Sequence, residues 1–361
     1  MTLISGTISV HGYNKHMEVP QTGIGLTVVL FVMCASVVWI SGARLAYIAD
    51  DLADRFQLAK SLVGLLVLSL ATSLPEVATT LAAAVRQTQD LVLNNLFGGI
   101  ALQTAVLAMS DFWARGAITN YPRKANHALE ATLLVFLLST ALIVVSVGET
   151  FVFMGVGLGS ALIALIYAGV IVLLRRYDGQ NDWVPVDLPD PEELPFPAPS
   201  GLAGTSNRVL FLQAAFACLA ILVFGLLLVV FATRIADQTG LGEGFVGVTL
   251  LAGATSLPEL TTTITAVRIG AYTMAISNIF GSNLIMLVLV FPADILFRGG
   301  PILQNASTTV LLSLSFGVAV TAIFLTGLIV RSKPKIGAFG LDSVLVLVVF
   351  LLSILAYYHV R

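Results

Sequence analysis

Two glutamates, Glu76 and Glu259, stand inside long apolar runs, each preceded by the same four residues, Thr-Ser-Leu-Pro. An ionisable group near the middle of a membrane-length run costs at least about 2.5–3.5 kcal/mol to insert. Hydroxyls accompany both at helical spacing: Ser69, Thr72, Ser73, Thr79 and Thr80 around the first, Thr255, Ser256, Thr262 and Thr263 around the second. Steps of three and four put them on one face of a helix. Pro75 and Pro258 add a further donor. A proline inside a helix removes one backbone bond and displaces the carbonyl four residues back, here that of Ala71 or Ala254. The resulting ligand set is carboxylate, hydroxyl and carbonyl. Hard cations prefer such oxygens, and Ca²⁺ takes about six to eight of them in flexible geometry. Two carboxylates balance one divalent ion, two Na⁺ or two H⁺. That equality is a physical basis for exchange, because the site is never left as two bare anions in a low dielectric.

A second pair of segments offers the facing wall. Asn94, Asn95, Gly98, Gly99 and Gln103 correspond to Ser277, Asn278, Gly281, Ser282 and Met286. Glycines allow helices to approach closely. Side-chain amides in a span need partners, so Asn95 and Asn278 are expected to line the site or brace it.

The elements that position these groups are membrane spans. Hydrophobic residues make up 57% of the 361 and charged residues 11%, against roughly 25% charged in soluble domains. Mean hydropathy is +0.96. A net charge of −2 with no basic domain excludes a nucleic-acid binder. Cys34 and Cys218 both lie in apolar runs and offer no disulfide framework. Runs of membrane length fall at 23–43, 62–85, 91–110, 128–147, 151–174, 209–233, 245–267, 272–297, 307–330 and 338–358. Ten spans place Lys15, Arg86, Arg234, Arg298 and Arg361 on one face and the other thirteen of the 18 basic residues on the opposite one. The richer face is expected in the cytoplasm, with both termini outside. Residues 1–21 lack the pattern of a signal peptide and are expected as an extracytoplasmic segment. Residues 175–207 are acidic and proline-rich, an extended cytoplasmic linker.

The chain also repeats itself. At a constant shift of 183 positions, Ala71-Thr72-Ser73-Leu74-Pro75-Glu76 returns as Ala254 to Glu259, and Asn95-Leu96-Phe97-Gly98 as Asn278 to Gly281. Asp54, Gly64 and Asp111 return as Asp237, Gly247 and Asp294. Five spans per half is an odd number, so the second half enters the membrane upside down. Inverted repeats with a site where they meet are a transporter architecture. The expected fold is therefore an all-α polytopic membrane protein of ten transmembrane helices in two inverted five-helix repeats, 22–174 and 208–361.

At these residues the sequence resembles the sodium/calcium exchanger family, within the calcium/cation antiporters. The hallmark pairs G-T-S-x-P-E and G-N-x-x-G-S-N stand here as Ala71 to Glu76 with Asn94 to Gly99, and as Ala254 to Glu259 with Ser277 to Asn283. The resemblance implies Ca²⁺ ligation by Thr72, Glu76, Thr255 and Glu259. It implies sodium sites from Ser73, Ser256, Ser282 and the carbonyls of Ser69 and Ala252. Where the family usually has Asn or Asp, this chain has Gln103 and Met286, and Gly99 replaces a serine. The resemblance thus implies an intact divalent site and diminished monovalent sites.

The expected function is a secondary antiporter exchanging Ca²⁺ for Na⁺ by alternating access, in a prokaryotic inner membrane, with inorganic cations and the bilayer as partners and no obligatory protein partner. A proton-coupled exchanger or one for another divalent such as Mn²⁺ keeps the same fold. A cation channel is the more distant alternative. No enzyme is expected: the four histidines form no His-Glu-x-x-His zinc motif, and no cofactor is called for.

Overall fold

The computed structural model describes residues 23–114, 116–122, 125–149, 151–177, 202, 204–239, 252–331 and 335–360. Segment 1–21, the body of the acidic linker and the start of the seventh apolar run with Gly247 lie outside the described residues. Apolar runs without hydrogen-bonding partners in lipid must satisfy their backbone internally, and helices do so. The helices of the first half are α1 (Ile24–Arg55), α2 (Lys60–Thr72), α3 (Leu74–Val85), α4 (Gln89–Met109), α5 (Asn126–Val147) and α6 (Leu158–Tyr177). The second half gives α7 (Asn207–Thr239), α8 (Ala252–Thr255), α9 (Leu257–Arg268), α10 (Tyr272–Val288), α11 (Val290–Leu296), α12 (Thr308–Val330) and α13 (Leu341–Val360). Among the described residues eight helical stretches are long and apolar enough to cross a membrane, or nine if the bent pair α2–α3 counts as one.

Burial sorts the helices. Every residue of α10 from Met274 to Leu287 is buried, and this helix packs against α2, α4, α5, α6 and α9. The outer helices expose Ile40, Phe136, Leu165, Phe216 and Leu351. So broad an apolar surface would drive aggregation in water; against acyl chains it is the matching surface. α1 and α7 lie side by side along their lengths.

Two departures from the sequence reading concern element starts. The fifth run does not begin as a helix at 151. Residues Val152–Phe153 (β1) and Val156–Gly157 (β2) form an antiparallel hairpin, and α6 follows directly. Met154 and Gly155 turn the chain with φ of 52° and 86°, the left-handed pair that a two-residue hairpin loop requires. Lys335–Ile336 (β3) and Phe339–Gly340 (β4) do the same before α13, so that span also starts later than 338. The linker is likewise not extended to its end. Arg55 donates to the carbonyls of Thr205 at 2.6 Å and Leu202 at 2.8 Å, while Leu202 packs with Ile48 and Leu210.

Two buried aspartates explain the hairpins. Asp294, in α11, accepts hydrogen bonds from Gly157 N at 2.8 Å, Ser160 Oγ at 2.5 Å and Ile302 N at 2.7 Å. Asp111, in the 3₁₀ turn that extends α4, accepts from Gly340 N at 2.8 Å and Ile118 N at 2.7 Å. Each carboxylate sits in one half and holds the hairpin-to-helix junction of the other, at positions related by the 183-residue shift. Hydrogen bonds to a charged acceptor contribute about 1.5–3 kcal/mol each. Asp294→Ala should therefore destabilise the protein by about 3 kcal/mol or more, and Asp294→Asn by less because one acceptor oxygen remains. Thermal unfolding in detergent checks the ranking; equal midpoints for native and Ala variants would refute it.

Candidate cation site

The apolar run 62–85 is one broken helix rather than a continuous kinked one. Ser73 leaves helical geometry at φ −80°, ψ 3°, and α2 and α3 meet there at 52°. Pro75 becomes the second residue of α3, where its missing N–H would have found no helical partner anyway. Ser256 repeats the break at φ −86°, ψ 5°, with Pro258 second in α9. Glu76 and Glu259 thus occupy the first turns of α3 and α9, where the half-helix dipole favours negative charge. Breaks of this kind are tolerated at membrane depth only where the backbone is enclosed by protein or lines a cavity.

Both carboxylates are buried, Glu76 at 3% exposure and Glu259 at 0%. The Ser73 hydroxyl lies 3.2 Å from Glu259 Oε1 and 3.0 Å from Ser282 Oγ, and Thr72 and Ser282 stand near the same carboxylate. The first half's broken helix therefore meets α9 and α10 of the second at one point. Glu76 lies close enough to Glu259 for the two charges to repel. Both oxygens of Glu76 and Oε2 of Glu259 have no hydrogen-bond partner, and the same holds for Oε1 of Gln103 and Oδ1 of Asn278 and Asn283. No lysine or arginine forms an ion pair with either glutamate among the described residues. Buried charge without a partner costs several kcal/mol per ion, and buried polar atoms are ordinarily hydrogen-bonded. A dehydrated cation among these oxygens would satisfy both requirements.

The remaining expected residues are distributed around this centre. Ser69 is buried and donates to Leu65 O at 2.5 Å; its own carbonyl accepts from Thr72 Oγ1 at 3.2 Å and Ser73 N at 3.0 Å. Thr255 and Ser256 are buried at the second break, and Ala252 opens α8 one turn earlier. Asn95 and Asn278 act as braces: Asn95 Nδ2 donates to Thr80 at 2.9 Å, and Asn278 Nδ2 to Thr262 at 3.1 Å and Thr263 at 3.3 Å. Gln103 and Met286 are both buried.

Close approach of α2 to α10 depends on glycine. A Cβ at Gly64 would fall 2.5 Å from Met274 O, and one at Gly281 would fall 2.6 Å from Ser69 Oγ. The π-helical stretch Val63–Leu68 lies opposite, a distortion frequent at functional sites. Gly98 and Gly99, the equivalents of Gly281 and Ser282, are half-buried, and a Cβ there meets nothing within 4 Å among the described residues.

One buried group at this interface was not visible in the sequence. His127 Nδ1 lies 2.9 Å from Glu130 Oε2, and Ser277 donates to Glu130 Oε1 at 2.8 Å. This cluster ties α5 to α10 beside Asn278. Only the polarity of Glu130 within an apolar run could have signalled it. Its equivalents at the 183-residue shift are Val310, Ser313 and Asn94, so no repeat pattern pointed to it.

Unneutralised carboxylates among hydroxyls, at the junction of broken membrane helices, define a class of protein: the membrane cation antiporter. The chain belongs to the sodium/calcium exchanger protein family, whose family model matches residues 26–176 and again 209–358. It is 28% identical over 278 residues to the inner membrane protein YrbG of Escherichia coli K12, covering 77% of this chain and 82% of that one. A shorter match, 29% over 133 residues, covers 37% of this chain and 11% of sodium/potassium/calcium exchanger 1 of Bos taurus. In structure it is similar to the sodium–calcium exchanger NCX_Mj soaked with Na⁺ and Sr²⁺. The TM-score is 0.68 at 17% identity, over 92% of this chain and 99% of that chain, a likeness of fold.

A cation that neutralises the two glutamates binds only the folded state, so it should raise the unfolding temperature. At about a hundredfold excess over Kd the stabilisation is about 2.7 kcal/mol. Ca²⁺ added to purified protein should shift the thermal midpoint upward, and the shift should vanish in Glu259→Gln. A Ca²⁺ shift that persists unchanged in Glu259→Gln would place the ion elsewhere.

Proposed function

We propose that the chain is a secondary antiporter that exchanges Ca²⁺ for Na⁺ across a bacterial inner membrane by alternating access. The observation that carries this reading is the set of three carboxylate oxygens without partners, buried where the two halves meet. In this reading ten spans form two inverted five-helix repeats, 22–174 and 208–361, with both termini extracytoplasmic and the linker 175–207 cytoplasmic. Glu76, Glu259, Thr72 and Thr255 hold the divalent ion. Ser73, Ser256, Ser282 and the carbonyls of Ser69 and Ala252 serve the monovalent ions that replace it.

A second reading, coupling to H⁺, is favoured by one observation. Gln103 and Met286 bring a neutral amide and a thioether into the buried wall, and a thioether is a poor ligand for hard ions. Two acids then limit the monovalent charge to two per Ca²⁺, and such a cycle moves no net charge. Ca²⁺ flux into proteoliposomes under imposed Na⁺ or H⁺ gradients separates the two couplings. Flux should be insensitive to a valinomycin-set potential, whereas moving one net charge would bias it by about 2.3 kcal/mol per 100 mV. Glu76→Gln and Glu259→Gln should each abolish it while the protein remains inserted. Near-normal uptake by either variant overturns the assignment.

A further inference from the structure

A groove of about 360 Å³ runs between α1 and α7 on the outer surface of the protein. It is lined by the apolar side chains of Ile40, Val209, Leu212 and Phe216 and by two polar ones, Arg44 and Gln213. Ile40, Leu212 and Phe216 are 68%, 70% and 72% exposed, so acyl chains must cover them. Arg44 is different from its surroundings. It is half-buried, and its one hydrogen bond runs from Nη2 to Gln213 Oε1 at 2.9 Å. No carboxylate lies within ion-pair distance of it among the described residues. The other basic residues at this end of α1 are neutralised: Arg55 pairs with Asp51 at 2.8 Å and Lys60 with Asp50 at 2.6 Å. Arg44 keeps an unbalanced guanidinium.

Depth fixes what can meet it. Arg44 lies 20 residues beyond Ile24 on one continuous helix, about 30 Å at the α-helical rise, which is the thickness of the hydrocarbon core. The guanidinium therefore sits at the boundary where phospholipid phosphates lie, above a groove that accepts acyl chains. Arg208, one residue before the lining residue Val209, is an exposed positive charge. A guanidinium binds phosphate oxygens through paired donors. Basic pockets between spans at a membrane boundary select anionic headgroups.

We propose that the α1–α7 groove is a binding site for an anionic glycerophospholipid, with its phosphate on Arg44 and one acyl chain along Leu212 and Phe216. Bound there, the lipid bridges a helix of the first repeat to one of the second, at the seam that the linker spans.

The test uses the full-length protein in detergent, titrated with phosphatidylglycerol or phosphatidylcholine of identical chains and read by native mass spectrometry. Phosphatidylglycerol should be retained about fivefold better, the worth of one basic side chain at an anionic surface. The preference should fall to parity in Arg44→Ala and survive in Arg298→Ala, which lies elsewhere. If Arg44→Ala does not fold, a photoactivatable phosphatidylglycerol on the native protein should label peptides of α1 and α7. Equal retention of the two lipids, a preference unchanged in Arg44→Ala, or labelling confined to other helices would each overturn the proposal. So would a preference that emerges only after the acidic residues of 178–200 are neutralised, since the linker would then be the occupant.

Discussion

The structure is organised around a charge that cannot be left alone. Glu76 and Glu259 are both out of water, face one another and lack a basic partner among the described residues. In a dry interior such a pair is far from its minimum. The protein does what is possible with neutral groups: helix N-termini behind each carboxylate, and Thr72, Ser73 and Ser282 around one of them. In the proposed antiporter the remainder of the neutralisation falls to the transported cation. Satisfying the site fully with a lysine would give a more stable protein that could carry nothing.

That demand shapes the surrounding helices. Each long apolar run carrying a glutamate is interrupted at a serine just ahead of it, which turns the middle of a span into a helix start. A broken helix is weak unless its neighbours are firm. Firmness comes from the amide braces of Asn95 and Asn278, from the glycine-mediated contact of α2 with α10, and from Asp111 and Asp294 at the ends of the site helices. The two aspartates are reciprocal: each half holds the other's hairpin, so neither repeat completes its fold alone.

Much of this was legible in the residues. The glutamates declared themselves by the cost of placing charge in an apolar run, and the 183-residue repeat paired them. Serine and threonine at steps of three and four gave the polar face. Asn95 and Asn278 left open whether an amide lines or braces, and the hydrogen bonds to Thr80, Thr262 and Thr263 answer that for the amide nitrogens. Other features were hidden for physical reasons. Proline placement marks that a helix is disturbed but not whether it kinks or restarts, because both relieve the same missing N–H. The hairpin at 152–157 carries Val152, Phe153, Met154 and Val156 and no charge, so hydropathy merges it with the span that follows. The cluster His127–Glu130–Ser277 joins residues about 150 apart in sequence, and no local period encodes it.

That cluster has a thermodynamic consequence. A carrier made of two identical inverted halves would have two end states related by symmetry and therefore equal in energy, and it would rest on either side of the membrane indifferently. His127 and Glu130 have counterparts Val310 and Ser313 that cannot form the same contacts. A polar tie between α5 and α10 whose equivalent between α12 and α4 lacks the same groups lifts the degeneracy. In the proposed antiporter the duplicated sequence supplies the two states, and its imperfections decide where the carrier waits.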